Sequence, residues 1–210
     1  MRGTPMQRKS HWEEVYSHKA DTAMSWFQPH AETSLRLVEQ LVLAPVDPII
    51  DVGAGASHLV DELLLRGYED VSVLDISATA LAIARKRLGE DAKRVHWLAG
   101  DILQVELPLQ HFALWHDRAV FHFLTGQQDR QRYVQRLLQA LRPDGRAIIA
   151  TFADDGPTQC SGLPVMRYNA DQLAAELGPQ FHLLQHERQT HITPARKEQR
   201  FLFTVFQRLE

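Results

Sequence analysis

Residues Ile49-Ile50-Asp51-Val52-Gly53-Ala54-Gly55-Ala56-Ser57 decide how the chain is read. An apolar run around a single acid makes a short strand. The two closely spaced glycines that follow allow backbone geometries, and a close ligand approach, that a side chain forbids. Ser57 is the expected N-cap of a helix whose Leu59, Val60, Leu63 and Leu64 share one face. The segment reads strand, tight turn, helix, the arrangement that seats nucleotide-type cofactors.

Downstream, Val71-Ser72-Val73-Leu74-Asp75 reads as a second strand ending in a carboxylate, with Asp75 placed 20 residues after Gly55. A carboxylate there accepts two charge-assisted hydrogen bonds from a ribose diol. A G-x-G-x-x-G dinucleotide fingerprint matches at Gly53 and Gly55 but meets His58 at its third position. A third strand, Arg94-Val95-His96-Trp97-Leu98, leads into Ala99-Gly100-Asp101-Ile102 and brings another acid to the crevice of the first strand.

A strand ending D-x-G-x-G, an acid ending the second strand and a Gly-Asp after the third resemble the class I S-adenosylmethionine-dependent methyltransferases, from about Asp47 to the C-terminus. The resemblance implies that Asp51 reaches toward the methionine end of the cofactor, partly through water, and that Asp75 binds the ribose. It also implies that Asp101 contacts the adenine amino group, with Ile76 and Ile102 as walls around the ring.

Composition agrees with one domain built on one core, since 210 residues with 44% apolar content bury a substantial interior. Lys plus Arg number 23 against 26 acids, net −3, which leaves no electrostatic footprint for wrapping nucleic acid. Cys160, the sole cysteine, makes no internal disulfide and fits a reducing compartment. There is no apolar run near the roughly 18 residues of a membrane span, and no apolar signal region accompanies Arg2, Arg8 and Lys9. The reading is a cytoplasmic protein without membrane or nucleic-acid partners. Its 11 histidines are too scattered for a metal site.

Strand-like runs at 48–52, 71–75, 94–98, 111–116 and 146–152 alternate with helical patterns at 57–66, 78–88 and 127–141, which predicts a parallel α/β sheet with right-handed crossovers. Arg142-Pro143-Asp144-Gly145 supplies the turn before the fifth strand. After a helix near 169–177, runs at 181–184 and 201–206 joined by a long polar loop would add an antiparallel C-terminal pair. The expected fold is therefore a Rossmann-like three-layer sandwich, its seven-stranded sheet mostly parallel. Residues 1–45, including a helix over 31–43, form the expected N-terminal cap or lid, and residues 46–210 the cofactor-binding domain.

The fourth strand delivers Trp115-His116-Asp117-Arg118-Ala119-Val120-Phe121-His122-Phe123 to the carboxyl end of the sheet, where ligands sit. His116 is the first candidate for an acid or base, because imidazole changes charge near neutral pH. Asp117 and Arg118 complete the catalytic candidates, although a loop-fixing pair is an equal alternative. The Asp-Arg-Ala resembles the Asp-Arg-Gly/Ala of thiopurine methyltransferases. After the fifth strand, the Gly156-Pro157 loop running through Cys160 to Arg167 is similar to that of halide and thiol methyltransferases. Near the N-terminus, Tyr16, Trp26 and Phe27 are expected to cover the methyl donor and exclude water. Trp26 and His116 would also touch the cofactor, and Tyr16, Phe27, His122, Cys160 and Arg167 the acceptor. The leading function is methyl transfer to a small molecule, with a thiol or related soft nucleophile favoured. A protein lysine methyltransferase and a noncatalytic cofactor-binding or nicotinamide-binding module are the alternatives.

Overall fold

Seven strands hydrogen-bond into one sheet: β1 (Ile49–Val52), β2 (Val71–Asp75), β3 (Val95–Ala99), β4 (Phe112–Arg118), β5 (Leu141–Phe152), β6 (Phe181–Ile192) and β7 (Glu198–Arg208). The computed structural model describes residues 5–210, the side chain of Pro5 excepted, so Arg2 and the first positions of the expected cap lie outside the described residues. The spatial order is β3-β2-β1-β4-β5-β7-β6. Strands β1 to β5 pair in parallel, whereas β7 runs antiparallel to both β5 and β6. Chain direction across the sheet reverses between β1 and β4, which opens a crevice at their carboxyl ends.

The α-helices are α1 (Pro5–His18), α2 (Glu32–Gln40), α3 (Leu59–Leu65), α4 (Ala78–Leu88), α5 (Gln127–Ala140) and α6 (Ala170–Leu177), and a short separate ribbon pairs Gln159–Cys160 with Leu163–Pro164. The period-two alternation of strand side chains divides the core. Ile148, Ala150 and Phe152 of β5 face α2 and α3 through Leu37, Val38 and Leu63, while Ala147 and Ile149 face α5 and α6 through Tyr133, Leu137 and Leu173. The result is the three-layer sandwich with an antiparallel C-terminal pair that the sequence predicts.

Several local expectations are corrected. Helix α3 begins at Leu59 with His58 as its N-cap, and Ser57 Oγ instead accepts from the Leu59 N–H at 3.2 Å. Helix α2 stops at Gln40 and packs in the layer beside α3, with Leu37 and Val38 buried, so it supports the sheet. Residues 142–145 bow out within β5 between its pairings with Phe112 and Leu114. The polar stretch 185–192 is strand, and only residues 193–197 turn the hairpin to β7. Its side chains lack an apolar pattern because this arm is largely exposed, so backbone pairing carries the strand.

Candidate active site

The ends of β2 and β3 each place an acid where backbone N–H groups meet it. The Asp75 carboxylate closes β2 and accepts from Gly55 N at 2.7 Å and Ser77 N at 2.7 Å. Burial raises its pKa to about 6, an effect that these two bonds oppose and the Asp51 and Glu13 charges reinforce. After β3, Asp101 Oδ1 accepts from Leu103 N at 3.0 Å, and Oδ2 pairs with Arg8 of α1 at 2.8 Å. Asp51 is buried in β1. Its Oδ1 lies 2.6 Å from His116 Nδ1, and its Oδ2 is buried with no partner among the described residues.

Gly53 and Gly55 adopt φ values of +65° and +57°. A Cβ on Gly53 would stand 1.9 Å from Val120 Cγ2, and one on Gly55 would stand 2.1 Å from the Tyr16 hydroxyl. The space these glycines leave open is thus filled by the chain itself. Both turns are closed to L-residues by conformation as well as by contact.

One cleft extends from these acids. It holds about 890 Å³ of non-protein space including its mouth, with Asp75, Ile76, Asp101 and Ile102 at one end. Arg118, Cys160, Gln199 and Phe201 line the other. A second, smaller cavity is lined by Ser34, Asp51, His116, Phe27 and His58. Tyr16, Trp26, Gly53 and Arg118 border both.

The fourth-strand candidates separate. His116 faces the smaller cavity, and its Nε2 lies 2.8 Å from Ser34 Oγ, so both ring nitrogens are engaged. A neutral ring that donates from Nδ1 to Asp51 accepts from the Ser34 hydroxyl at Nε2. Asp117 lines neither cavity. Its carboxylate accepts from Val120 N at 2.8 Å, Phe121 N at 3.1 Å and the Tyr133 hydroxyl, and so holds the turn in which Ala119 takes φ +73°. Burial raises the Asp117 pKa to about 6. Arg118 donates from Nη1 to Trp26 O at 3.0 Å and lies 4.9 Å from the centre of the Phe201 ring. Its Nε and Nη2 are buried without a partner among the described residues, and burial lowers its pKa to about 10.

The acceptor candidates also part company. Cys160 lines the main cleft with a thiol that burial raises to about 11, so it is neutral at physiological pH. Phe27 lines the smaller cavity and meets His58 edge-on at 5.8 Å. His122 lies behind the wall. Burial, then the Arg118 charge, lowers its pKa to about 3, and Nδ1 accepts from Phe152 N at 3.3 Å. Arg167 is turned away, donating to Gly156 O at 3.1 Å.

Helix α1 roofs the cleft. The Trp12 ring stands edge-on to Phe123 at 5.2 Å and to Trp26 at 5.7 Å, and Tyr16 stands edge-on to Trp26 at 6.0 Å. Glu13 pins the roof by capping α4, accepting from Ala78 N at 2.8 Å, Thr79 N at 3.2 Å and Ser77 Oγ at 2.9 Å. Although burial opposes ionisation, these bonds hold its carboxyl below the ordinary value. Trp12, Glu13, Ser34, Gln199 and Phe201 were not legible as site residues. The alternation of Gln199, Phe201, Phe203 and Val205 signals one face of a strand, but not that its first two members reach a cleft.

Residues 49–145 match a family model described as a methyltransferase domain. Among curated proteins, the chain is 27% identical over 151 residues to the eEF1A lysine and N-terminal methyltransferase of Mus musculus, covering 68% of this chain and 21% of that protein. It is 29% identical over 156 residues to EEF1A lysine methyltransferase 4 of Bos taurus, covering 68% of this chain and 60% of the relative. A solved structure described under the conversion of a disulfide bond into a thioacetal group during echinomycin biosynthesis superposes with a TM-score of 0.77 at 18% identity, covering 96% of this chain and 93% of that one. By fold, the chain has the seven-stranded, Rossmann-like sheet of the class I methyltransferases, and its residues 49–145 are similar to a methyltransferase domain.

Proposed function

We propose that the protein transfers a methyl group from S-adenosylmethionine to a small acceptor carrying a soft nucleophile, with α1 and the segment that follows it through Phe27 as a cap on the sheet. The observation that carries this reading is the roofed cleft that joins the acids of β2 and β3 to an aromatic end at Arg118. The residues fit the cofactor: the buried Asp51 Oδ2 lacks a donor that an ammonium group supplies, Asp75 suits a ribose diol, and Asp101 with Ile76 and Ile102 suits an adenine. When bound, S-adenosylmethionine supplies an electrophilic methyl, and its transfer leaves a neutral thioether. The roof of Trp12, Tyr16 and Trp26 keeps water from the acceptor. Orientation in the cleft supplies the main acceleration, of the roughly 7–11 kcal/mol that near-attack geometry provides. His116 acts as a positioning residue for Asp51, since both of its nitrogens are engaged.

A protein lysine acceptor is the second reading, favoured by the names of the eEF1A relatives. The chain spans about a fifth of the mouse protein. Against this reading, an ε-ammonium would meet a buried guanidinium, and none of the described residues lining that end of the cleft is acidic. Calorimetry with S-adenosylhomocysteine should give micromolar-range binding, roughly −8 kcal/mol. Turnover would then be followed with thiols, amines and purified eEF1A. Nicotinamide binding without S-adenosylhomocysteine binding would overturn the reading, and transfer to eEF1A alone would favour the lysine acceptor.

A further inference from the structure

The two unpartnered nitrogens of Arg118, Nε and Nη2, form one edge of the guanidinium, with parallel N–H bonds spaced for the two oxygens of a carboxylate. Elsewhere in the molecule the same edge is in use. Arg87 donates from Nε to Asp61 Oδ1 at 3.0 Å and from Nη2 to Asp61 Oδ2 at 2.7 Å, with Nη1 on Ala56 O at 2.8 Å. Arg118 has likewise given Nη1 to a main-chain oxygen, that of Trp26, but its edge has no carboxylate. Asp51, whose charge reaches Arg118, is committed at Oδ1 to His116 and makes no ion pair with Arg118 among the described residues. The Phe201 ring offsets only part of the cost of a buried, unpaired cation.

The surroundings define the rest of the ligand. Phe123, Trp26, Leu124 and Phe201 make apolar walls, and Gln199 adds an Oε1 that is buried without a donor. We infer that Arg118 anchors a carboxylate on the methyl acceptor, held by both nitrogens of its free edge, and that the acceptor is a small, apolar-bodied anion. This inference rests on the methyl-transfer reading and adds the substrate class to it.

The test uses wild-type protein saturated with S-adenosylhomocysteine and titrated with phenylacetate, the neutral phenylacetamide and the cationic phenethylamine. Phenylacetate is expected to bind roughly tenfold or more tighter than the amide, and the amine not at all. Arg118→Met should erase that preference, and Arg118→Lys, which keeps the charge without the fork, should keep part of it. Absence of a carboxylate preference in the wild type, including failure of all three probes to bind, overturns the inference without reliance on any variant's folding. A second arm separates two sources of carboxylate by comparing S-adenosylhomocysteine with 5′-methylthioadenosine, which has none. A tenfold loss in Arg118→Met for the former alone assigns the fork to the methyl donor and overturns the acceptor assignment, whereas unchanged affinity for both supports it. Failure of the wild type to bind S-adenosylhomocysteine would instead remove the underlying methyl-transfer reading.

Discussion

At one end of the cleft, Asp75 is held by Gly55 and Ser77, and Asp101 by Leu103, so most of each carboxylate's geometry comes from its own strand end or the turn beside it. At the other end, Trp26, Arg118, Cys160, Gln199 and Phe201 converge from the N-terminal segment, β4, the loop after β5 and β7, and Arg118 and Gln199 arrive with polar atoms unpaired. The first end is preorganised for a fixed ligand by local backbone. The second is assembled by tertiary contact and leaves its polar atoms for whatever enters.

The contrast breaks most completely at the glycines. Gly53→Val would place a branched side chain at φ +65° and 1.9 Å from Val120, and should abolish S-adenosylhomocysteine binding in a protein whose circular dichroism still reports a folded sheet. Retained affinity would show that the turn tolerates a side chain and that the donor end is less rigid than described.

Asp75→Ala should weaken cofactor affinity by roughly 1.5–3 kcal/mol, read by calorimetry. The wild-type pH profile supplies a milder version. The Asp75 pKa is raised from 3.8 to about 6 without ligand. An acid shifted upward is a full acceptor only about a unit above that value, so affinity should be complete above about pH 7, halve near pH 6 and fall by up to about tenfold per unit below it. A flat profile from pH 7.5 to 5 would mean that the carboxylate does not receive the ribose.

His116→Asn sharpens the comparison at the border between the two ends. As a positioning residue it should cost about 1 kcal/mol in cofactor affinity and leave the shape of the pH–rate profile unchanged. Loss of one limb of that profile would make His116 a base, with turnover down by roughly 10²–10⁴. Smallest is Glu13→Ala, which removes the cap that ties the roof to α4. It should cost about 1 kcal/mol and lower the melting temperature by roughly 2–4 °C, with turnover falling more than affinity if the roof shields the acceptor.

Local chemistry is what a sequence carries. Apolar runs bounded by turns revealed β1, β2 and β3, and an acid within β1, at the end of β2 and just past β3 marked Asp51, Asp75 and Asp101, because strand, turn and acid lie within a few residues of one another. The same reasoning missed most of β6, whose exposed arm has no apolar pattern to read, and expected His122 and Arg167 in a cleft that neither lines. Tertiary structure alone decided that His116 is clamped between Asp51 and Ser34, that Glu13 caps a helix 65 residues away, and that Arg118 with its free edge lines the same cleft as Gln199 and Phe201. Those outcomes depend on which distant groups arrive within about 3 Å, a distance set by packing of the whole sheet and not by any stretch of neighbouring residues.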